Sequence, residues 1–210
     1  KKQALLYLPQ AMPDPREQGY TEEVVERALP VLTLTRGRAF ILFTSHRALK
    51  IAAELIKEKI DYPVLVQGDA PRTELLDNFR QTKHAVLLGT SSFWEGVDVK
   101  GQALSCVIID KLPFSAPGDP VLKARMRMME EQGRNPFMEY QLPEAVIVLK
   151  QGIGRLIRDK NDYGVLMICD PRLKTKSYGK IFLKSLPTME QTNELAEVES
   201  FFDEFESRQL

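Results

Sequence analysis

Two arginines three positions apart, Arg155 and Arg158, stand beside two glycines and a glutamine in Gln151-Gly-Ile-Gly-Arg-Leu-Ile-Arg158. Residues at that spacing share one face of a helix, so both guanidiniums can meet a single anion. Arginine suits phosphate because its planar fork holds its charge and donates paired hydrogen bonds. The plainer reading of the octet is a helix end with basic residues near its negative pole. A dinucleotide-binding glycine loop does not fit: position 157 is Ile, and a helical pattern precedes the motif where a strand is needed.

A second stretch with chemical potential is Gly89-Thr-Ser-Ser-Phe-Trp-Glu-Gly-Val-Asp98. Its glycines, Gly96 among them, let a backbone approach closely. The hydroxyls of Thr90, Ser91 and Ser92 can bond a strand phosphate, and Glu95 and Asp98 can orient arginines or a ribose. Trp94 can stack a base or wedge into the core. A serine- and glycine-rich loop capping a strand is the alternative for the whole stretch. Glu95 and Asp98 as the acid and base of an independent hydrolase have no accompanying nucleophile or metal set. Farther upstream, Leu42-Phe-Thr-Ser45 ends an apolar run in Thr44 and Ser45, two hydroxyls able to cap the next helix or bind a phosphate.

These residues need elements to hold them. Apolar runs at residues 39–43, 64–66, 85–88, 104–109 and 164–169 read as strands buried on both faces, with a short strand at 3–8. Between them, residues 21–34, 48–56, 73–81, 120–132 and 144–150 keep a helical period. Thr21 is placed to cap the first of these, Pro30 to kink or interrupt it, and Gly37 to close it. Met126, Met128 and Met129 read as core or groove filler. Residues 174–184 read as one basic helix. Strands alternating with helices predict an α/β domain of three layers, its mostly parallel sheet covered by helices on both faces. In such folds ligands collect at the carboxyl ends of the strands, where Thr44, Ser45, the 89–98 stretch, Asp110-Lys111 and Asp170-Pro-Arg172 fall.

With 210 residues, 43% of them hydrophobic and 28% charged, the chain has the composition of a soluble globular domain with one sizeable core. No apolar run is long enough to span a bilayer, no secretory signal stands at Lys1, and a strand-like start suggests a chain cut from something longer. Its two cysteines, Cys106 and Cys169, lie in apolar runs and read as buried thiols, which favours a reducing cytoplasm. Two cysteines cannot supply a four-thiolate cluster. His46 and His84 have no matching ligand set. The net charge of zero hides five basic residues and no acid between Arg172 and Lys184, then seven acids and no base between Glu190 and Glu206. The basic run can face nucleic-acid phosphates or solvent.

The octet resembles the last motif of superfamily-two helicases, Gln-x-x-Gly-Arg-x-x-Arg. The 89–98 stretch is similar to the preceding motif of their iron–sulfur branch, which holds the XPD and DinG helicases, and Leu42-Phe-Thr-Ser45 resembles a third. Two motifs in the right order, about fifty residues apart, carry far more than either alone. The resemblance extends over residues 3–188. It implies a RecA-like second motor domain over residues 1–188, followed by an acidic amphipathic helix at 189–210. It further implies Arg155 and Arg158 as arginine fingers with Gln151 near the γ-phosphate, and Glu95, Gly96 and Asp98 in coupling DNA to ATP. Thr44, Ser45, Thr90, Ser91, Ser92 and Trp94 then face single-stranded or forked DNA. Cofactors would be ATP and Mg²⁺ shared with a first motor domain, with a 4Fe-4S cluster carried elsewhere in a full-length, bacterial, cytoplasmic, 5′-to-3′ helicase of repair and replication. The wording around Trp94, followed by Asp110-Lys-Leu-Pro-Phe114, looks closest to a bacterial DinG-like group for which the implied partner is the chi accessory subunit of the replicative polymerase.

No Gly-x-x-x-x-Gly-Lys-Ser/Thr loop occurs, nor a following strand with paired carboxylates. The chain alone is therefore expected not to hydrolyse ATP, and a free-standing phosphohydrolase is the weakest reading. The main rival is a non-catalytic adaptor that keeps the fold and binds a polymerase accessory subunit or repair protein through its tail and basic helix. Leu195, Val198, Phe202 and Phe205 would give that tail an apolar face, or would dock it back onto the domain.

Overall fold

A computed structural model describes residues 3–90, 93, 104–115, 118–154, 156–157 and 162–206. In chain order the elements are β1 (Ala4–Tyr7), α1 (Tyr20–Leu34), β2 (Ala39–Phe43), α2 (His46–Lys59), β3 (Val64–Val66), α3 (Arg72–Gln81), β4 (Val86–Thr90) and β5 (Cys106–Ile109). Then come α4 (Pro120–Glu131), a π-helical turn (Phe137–Gln141), α5 (Leu142–Ile153), β6 (Gly164–Ile168), α6 (Arg172–Thr175), α7 (Gly179–Ser185), β7 (Glu190–Thr192) and α8 (Leu195–Glu206).

The described strands form one parallel sheet in the order β3-β4-β2-β5-β6-β1-β7. Every residue of β2, β4, β5 and β6 is buried, as their unbroken apolar runs require when helices cover both faces. Side chains alternate across the pleat. Ile41 and Phe43 meet α1, α2 and α8 on one side; Phe40 and Leu42 meet the core of α3, α5 and α7 on the other. The result is the three-layer, RecA-like α/β domain that alternation of elements predicts.

Several local expectations are corrected. The residue capping α1 is Gly19, at φ 83 with no side-chain bond, rather than Thr21, which lies inside the helix. Pro30 does not interrupt α1, because Val31 and Leu32 beside it are fully buried and tertiary packing outweighs the lost hydrogen bond. The basic segment is two short helices, α6 and α7. Lys176 between them is extended, and Gly179 packs so closely on α6 that a Cβ there would lie 2.0 Å from the Leu173 carbonyl oxygen. Met129 is buried as core filler, but Met128 is 56% exposed.

Strand β7 has no counterpart in the apolar pattern. It is a polar three-residue edge that pairs with β1, matching Leu6 to Gln191. Helix α8 follows it back onto α1 and β1, burying Val198, Phe201 and Phe202, while the Phe205 ring stacks on Tyr163 at 4.8 Å. Cys106 and Cys169 are buried free thiols. Among the described residues no helix is long and apolar enough to cross a membrane.

Candidate functional site

Strands β2, β5 and β6 are neighbours, so their carboxyl ends form one rim. On that rim Asp110, just past β5 and 1% exposed, is a junction. Its carboxylate accepts the backbone N–H of Thr44 at 3.1 Å, the Thr44 hydroxyl at 3.4 Å and the backbone N–H of Lys111 at 2.6 Å. Its carbonyl oxygen accepts the Tyr20 hydroxyl at 2.7 Å. The Lys111 ammonium lies 4.7 Å from the Tyr20 ring and donates to the Pro15 carbonyl at 2.6 Å. Burial pushes the Asp110 carboxyl up to about 7, against the pull of the hydrogen bonds from Lys111 and Thr44. Burial also pushes the Tyr20 phenol far above its ordinary value.

A second buried carboxylate sits just past β6. Asp170 accepts the backbone N–H of Leu112 at 2.8 Å and a two-pronged grip from Arg172, at 2.9 Å from Nε and 2.6 Å from a terminal nitrogen. The Arg172 guanidinium also lies 5.6 Å from the Phe114 ring, which packs edge-on against Tyr178 and Phe182. The two aspartates thus staple three strand ends together. Sequence reasoning placed them on the rim without giving them a role; the signal was an acid directly after an apolar strand in both cases.

The hydroxyls expected to face DNA are partly occupied within the fold. Ser45 caps α2, its oxygen accepting from the Ala48 N–H at 3.2 Å, and it is exposed. A capping hydroxyl accepts through a lone pair and keeps its own hydrogen for another acceptor. Thr44 is half-buried against Asp110. Thr90 lies beside Phe43 in the sheet register, which places it next to Thr44 along the rim. It is buried, with its N–H and hydroxyl on the Gln67 side-chain oxygen at 2.6 and 3.0 Å. Phe93 packs over Gly89, where a Cβ would come within 3.1 Å of it. Ser91, Ser92, Trp94, Glu95, Gly96 and Asp98 lie outside the described residues.

Gln151 is exposed near the carboxyl end of α5, on the opposite rim of the sheet. A helix leading into a parallel strand must finish at that strand's amino end, and the contacts agree: Leu156 packs on Gly164, the first residue of β6. Gly154 and Leu156 also line a pocket of about 450 Å³ with Gln3 and Ala4, at the start of β1. Arg155 and Arg158 lie outside the described residues. The structure thus brings Thr44, Ser45 and Thr90 to one rim and holds Gln151 at the other.

Among the described residues no group of three or more His, Cys, Asp or Glu side chains is placed to hold a metal ion. Cys106 lies in β5 opposite Val165 and Cys169 lies just past the end of β6, so the two do not face each other, and burial raises both thiols well above their ordinary value. They do not fit a cluster.

The chain matches the helicase C-terminal domain family over residues 28–189. It is 48% identical over 200 residues to the ATP-dependent DNA helicase YoaA of Haemophilus influenzae, covering 95% of this chain and 31% of that protein. It is 39% identical over 199 residues to the ATP-dependent helicase DinG of Mycobacterium tuberculosis, covering 94% of this chain and 30% of that one. Among solved structures, an XPD apoprotein superposes with a TM-score of 0.68 at 20% identity, over 91% of this chain and 39% of that chain, a likeness of fold. The chain therefore spans about a third of the length of the curated relatives it matches.

Proposed function

Because the chain belongs to the helicase C-terminal domain family, we propose that it serves as the second motor domain of an ATP-dependent DNA helicase. The observation that supports this reading best is the separation of Gln151 on the amino rim from Thr44 and Ser45 on the carboxyl rim of one sheet. A motor must hold its nucleotide and its strand at once, and two rims let it do so without either blocking the other. In this reading the octet closes on an ATP held by a first motor domain of the same protein, with Gln151 near the γ-phosphate. Arg155 and Arg158 stabilise the charge that develops there. Glu95, Gly96 and Asp98 couple the two events, and the carboxyl rim carries the single strand through Thr44, Ser45, Thr90, Ser91, Ser92 and Trp94.

The phosphate loop, the Mg²⁺ ligands and a 4Fe-4S cluster then belong to the first motor half, and this domain turns over no ATP by itself. The resemblance to XPD and DinG motifs supports 5′-to-3′ movement, a role in repair and replication in a bacterial cytoplasm, and the chi accessory subunit of the replicative polymerase as a partner. With the apolar face of α8 buried on α1 and β1, that contact would use another surface. The test is Arg158→Ala in the full-length protein. DNA-stimulated ATP turnover is expected to fall by about three to five orders of magnitude; unchanged turnover would remove the finger assignment.

A further inference from the structure

Strand β6 opens on a glycine that its backbone does not require. Gly164 is not among the residues with left-handed backbone, and its N–H donates to the Gln3 carbonyl at 2.9 Å. What the position excludes is a side chain. A Cβ there would lie 2.5 Å from Leu156 Cδ1 and 2.6 Å from the Ser105 carbonyl oxygen. Glycine inside a strand marks such a close approach. The hollow that results has a fixed floor, since the Ser105 carbonyl accepts the Val165 N–H at 3.0 Å and the Ser105 N–H donates to the Arg38 carbonyl at 2.8 Å.

Leu156, 2% exposed, fills that hollow and shares an apolar cluster with Ile153 and Leu166. In the sequence it stands between Arg155 and Arg158. Helix α5 ends at Ile153, so its ladder stops short of both arginines. Among the described residues, what ties the chain down past Gly154 is the Leu156 N–H bond to the Ile153 carbonyl at 2.9 Å and the Leu156 side chain in its hollow. The same segment also borders the pocket of about 450 Å³, which Ile153, Gly154, Leu156 and Ile157 line together with Pro187 and Met189. Packing therefore holds it from the sheet and leaves it room on the pocket side.

We propose that Leu156 and Gly164 are positioning residues for the arginine pair, with Leu156 the knob that fixes where the two guanidiniums are carried and Gly164 the seat that receives it. The proposal rests on the reading of Arg155 and Arg158 as arginine fingers. Fingers must be aimed before charge develops, and a misplacement of about 1 Å can cost about a hundredfold in rate. With a pocket beside it, a Leu156 that loses its seat has somewhere to go, and its neighbours in the chain go with it.

The test is steady-state ATP turnover by the full-length protein at saturating single strand, with strand affinity measured alongside to report folding. Leu156→Ala is expected to lower kcat about a hundredfold while KM for ATP and strand affinity stay within about twofold of the parent, since aim matters in the transition state. Leu156→Met refills the seat at nearly constant volume and is expected to keep kcat within about threefold. Leu87→Ala, an equal truncation of a fully buried leucine in the same apolar cluster on β4, is expected to keep parental kcat. Should Leu156→Ala fail to fold, Leu156→Val also gives up Cδ1 and carries the test, with an expected fall of about tenfold. Parental kcat in the folded Ala or Val variant, an equal fall in Leu87→Ala, or a Met variant as slow as the Ala variant would overturn the seat alone, with Arg158→Ala still slow. Parental turnover in Arg158→Ala would remove the finger reading and the seat with it.

Discussion

The Asp110 side chain accepts the Thr44 N–H at 3.1 Å, so the end of β5 holds the end of β2 through a carboxyl group that is itself buried. Its carboxyl is raised from 3.8 to about 7. Between those values the folded protein holds one more proton than the unfolded chain, so stability falls as pH rises through that window, by at most about 1.4 kcal/mol per unit. Asp110→Asn keeps an acceptor for both N–H groups and should flatten this slope. Asp110→Ala strands them and should cost about 2 to 4 kcal/mol. Urea unfolding at pH 5 and pH 8 separates the two; a slope that persists in the Asn variant would assign it to another group.

Among the described residues Arg172 is the only side chain hydrogen-bonded to Asp170, and the aspartate side chain is fully buried. Arg172→Ala should leave that carboxylate unpaired and destabilise the protein by about 3 kcal/mol. Arg172→Lys should recover only part, since an ammonium cannot reproduce the fork. Adding Asp170→Asn to the alanine variant should restore stability, and equal Tm losses in the single and double variants would count against the pairing.

Aspartate caps helices about as well as serine. Ser45→Asp should therefore keep the unfolding free energy within roughly 0.5 kcal/mol of the parent while weakening strand binding about tenfold at low salt by repelling phosphate. Ser45→Ala should do the reverse on the first count, losing about 1 kcal/mol of cap. Equal strand affinities across parent, Asp and Ala variants would remove Ser45 from the strand path.

Two glycines with left-handed backbone should respond differently to alanine. At Gly37, φ 70, a Cβ would lie 2.0 Å from the His84 carbonyl oxygen; at Gly19, φ 83, it would meet nothing within 4 Å. Gly37→Ala should cost more than about 2 kcal/mol and Gly19→Ala about 1, from backbone strain alone. Differential scanning calorimetry of the pair gives the comparison directly.

Helix α8 is part of the core. Phe202, 2% exposed, packs edge-on to Tyr163 with ring centres 6.1 Å apart. Phe202→Ala should cost roughly 3 to 5 kcal/mol, whereas Glu199→Ala on the exposed face should stay within about 0.5. A Phe202 variant as stable as its parent would mean that the helix undocks readily and is free to serve a partner.

The central strands were legible because each is an apolar run closed by turn residues, a signal that survives without tertiary context. Strand β7 was not: Glu190, Gln191 and Thr192 carry no apolar period, and only the open edge of β1 makes them a strand. The break between α6 and α7 depends on the close approach of Gly179 to Leu173, which spacing along the chain cannot show. At the site, Thr44, Ser45 and Thr90 were readable as strand-end hydroxyls. Their commitments to Asp110, Ala48 and Gln67 involve partners up to 66 positions away and required the fold. The opposite placement of Gln151 follows from the direction of α5 and was available in principle from the order of helix and strand.

Strand β6 begins at Gly164, where Leu156 and the Ser105 carbonyl leave no room for a Cβ, and is followed by Asp170 and its clamp on Arg172. Five residues of parallel strand advance about 16 Å, through an interior packed too densely to absorb a shift. It is a strut: a displacement imposed at its Gly164 foot would arrive at its Asp170 head as nearly the same displacement, with no joint between to dissipate it. The staples to β5 and β2 would then spread that stroke sideways, moving the carboxyl rim as one piece whenever the amino rim is displaced.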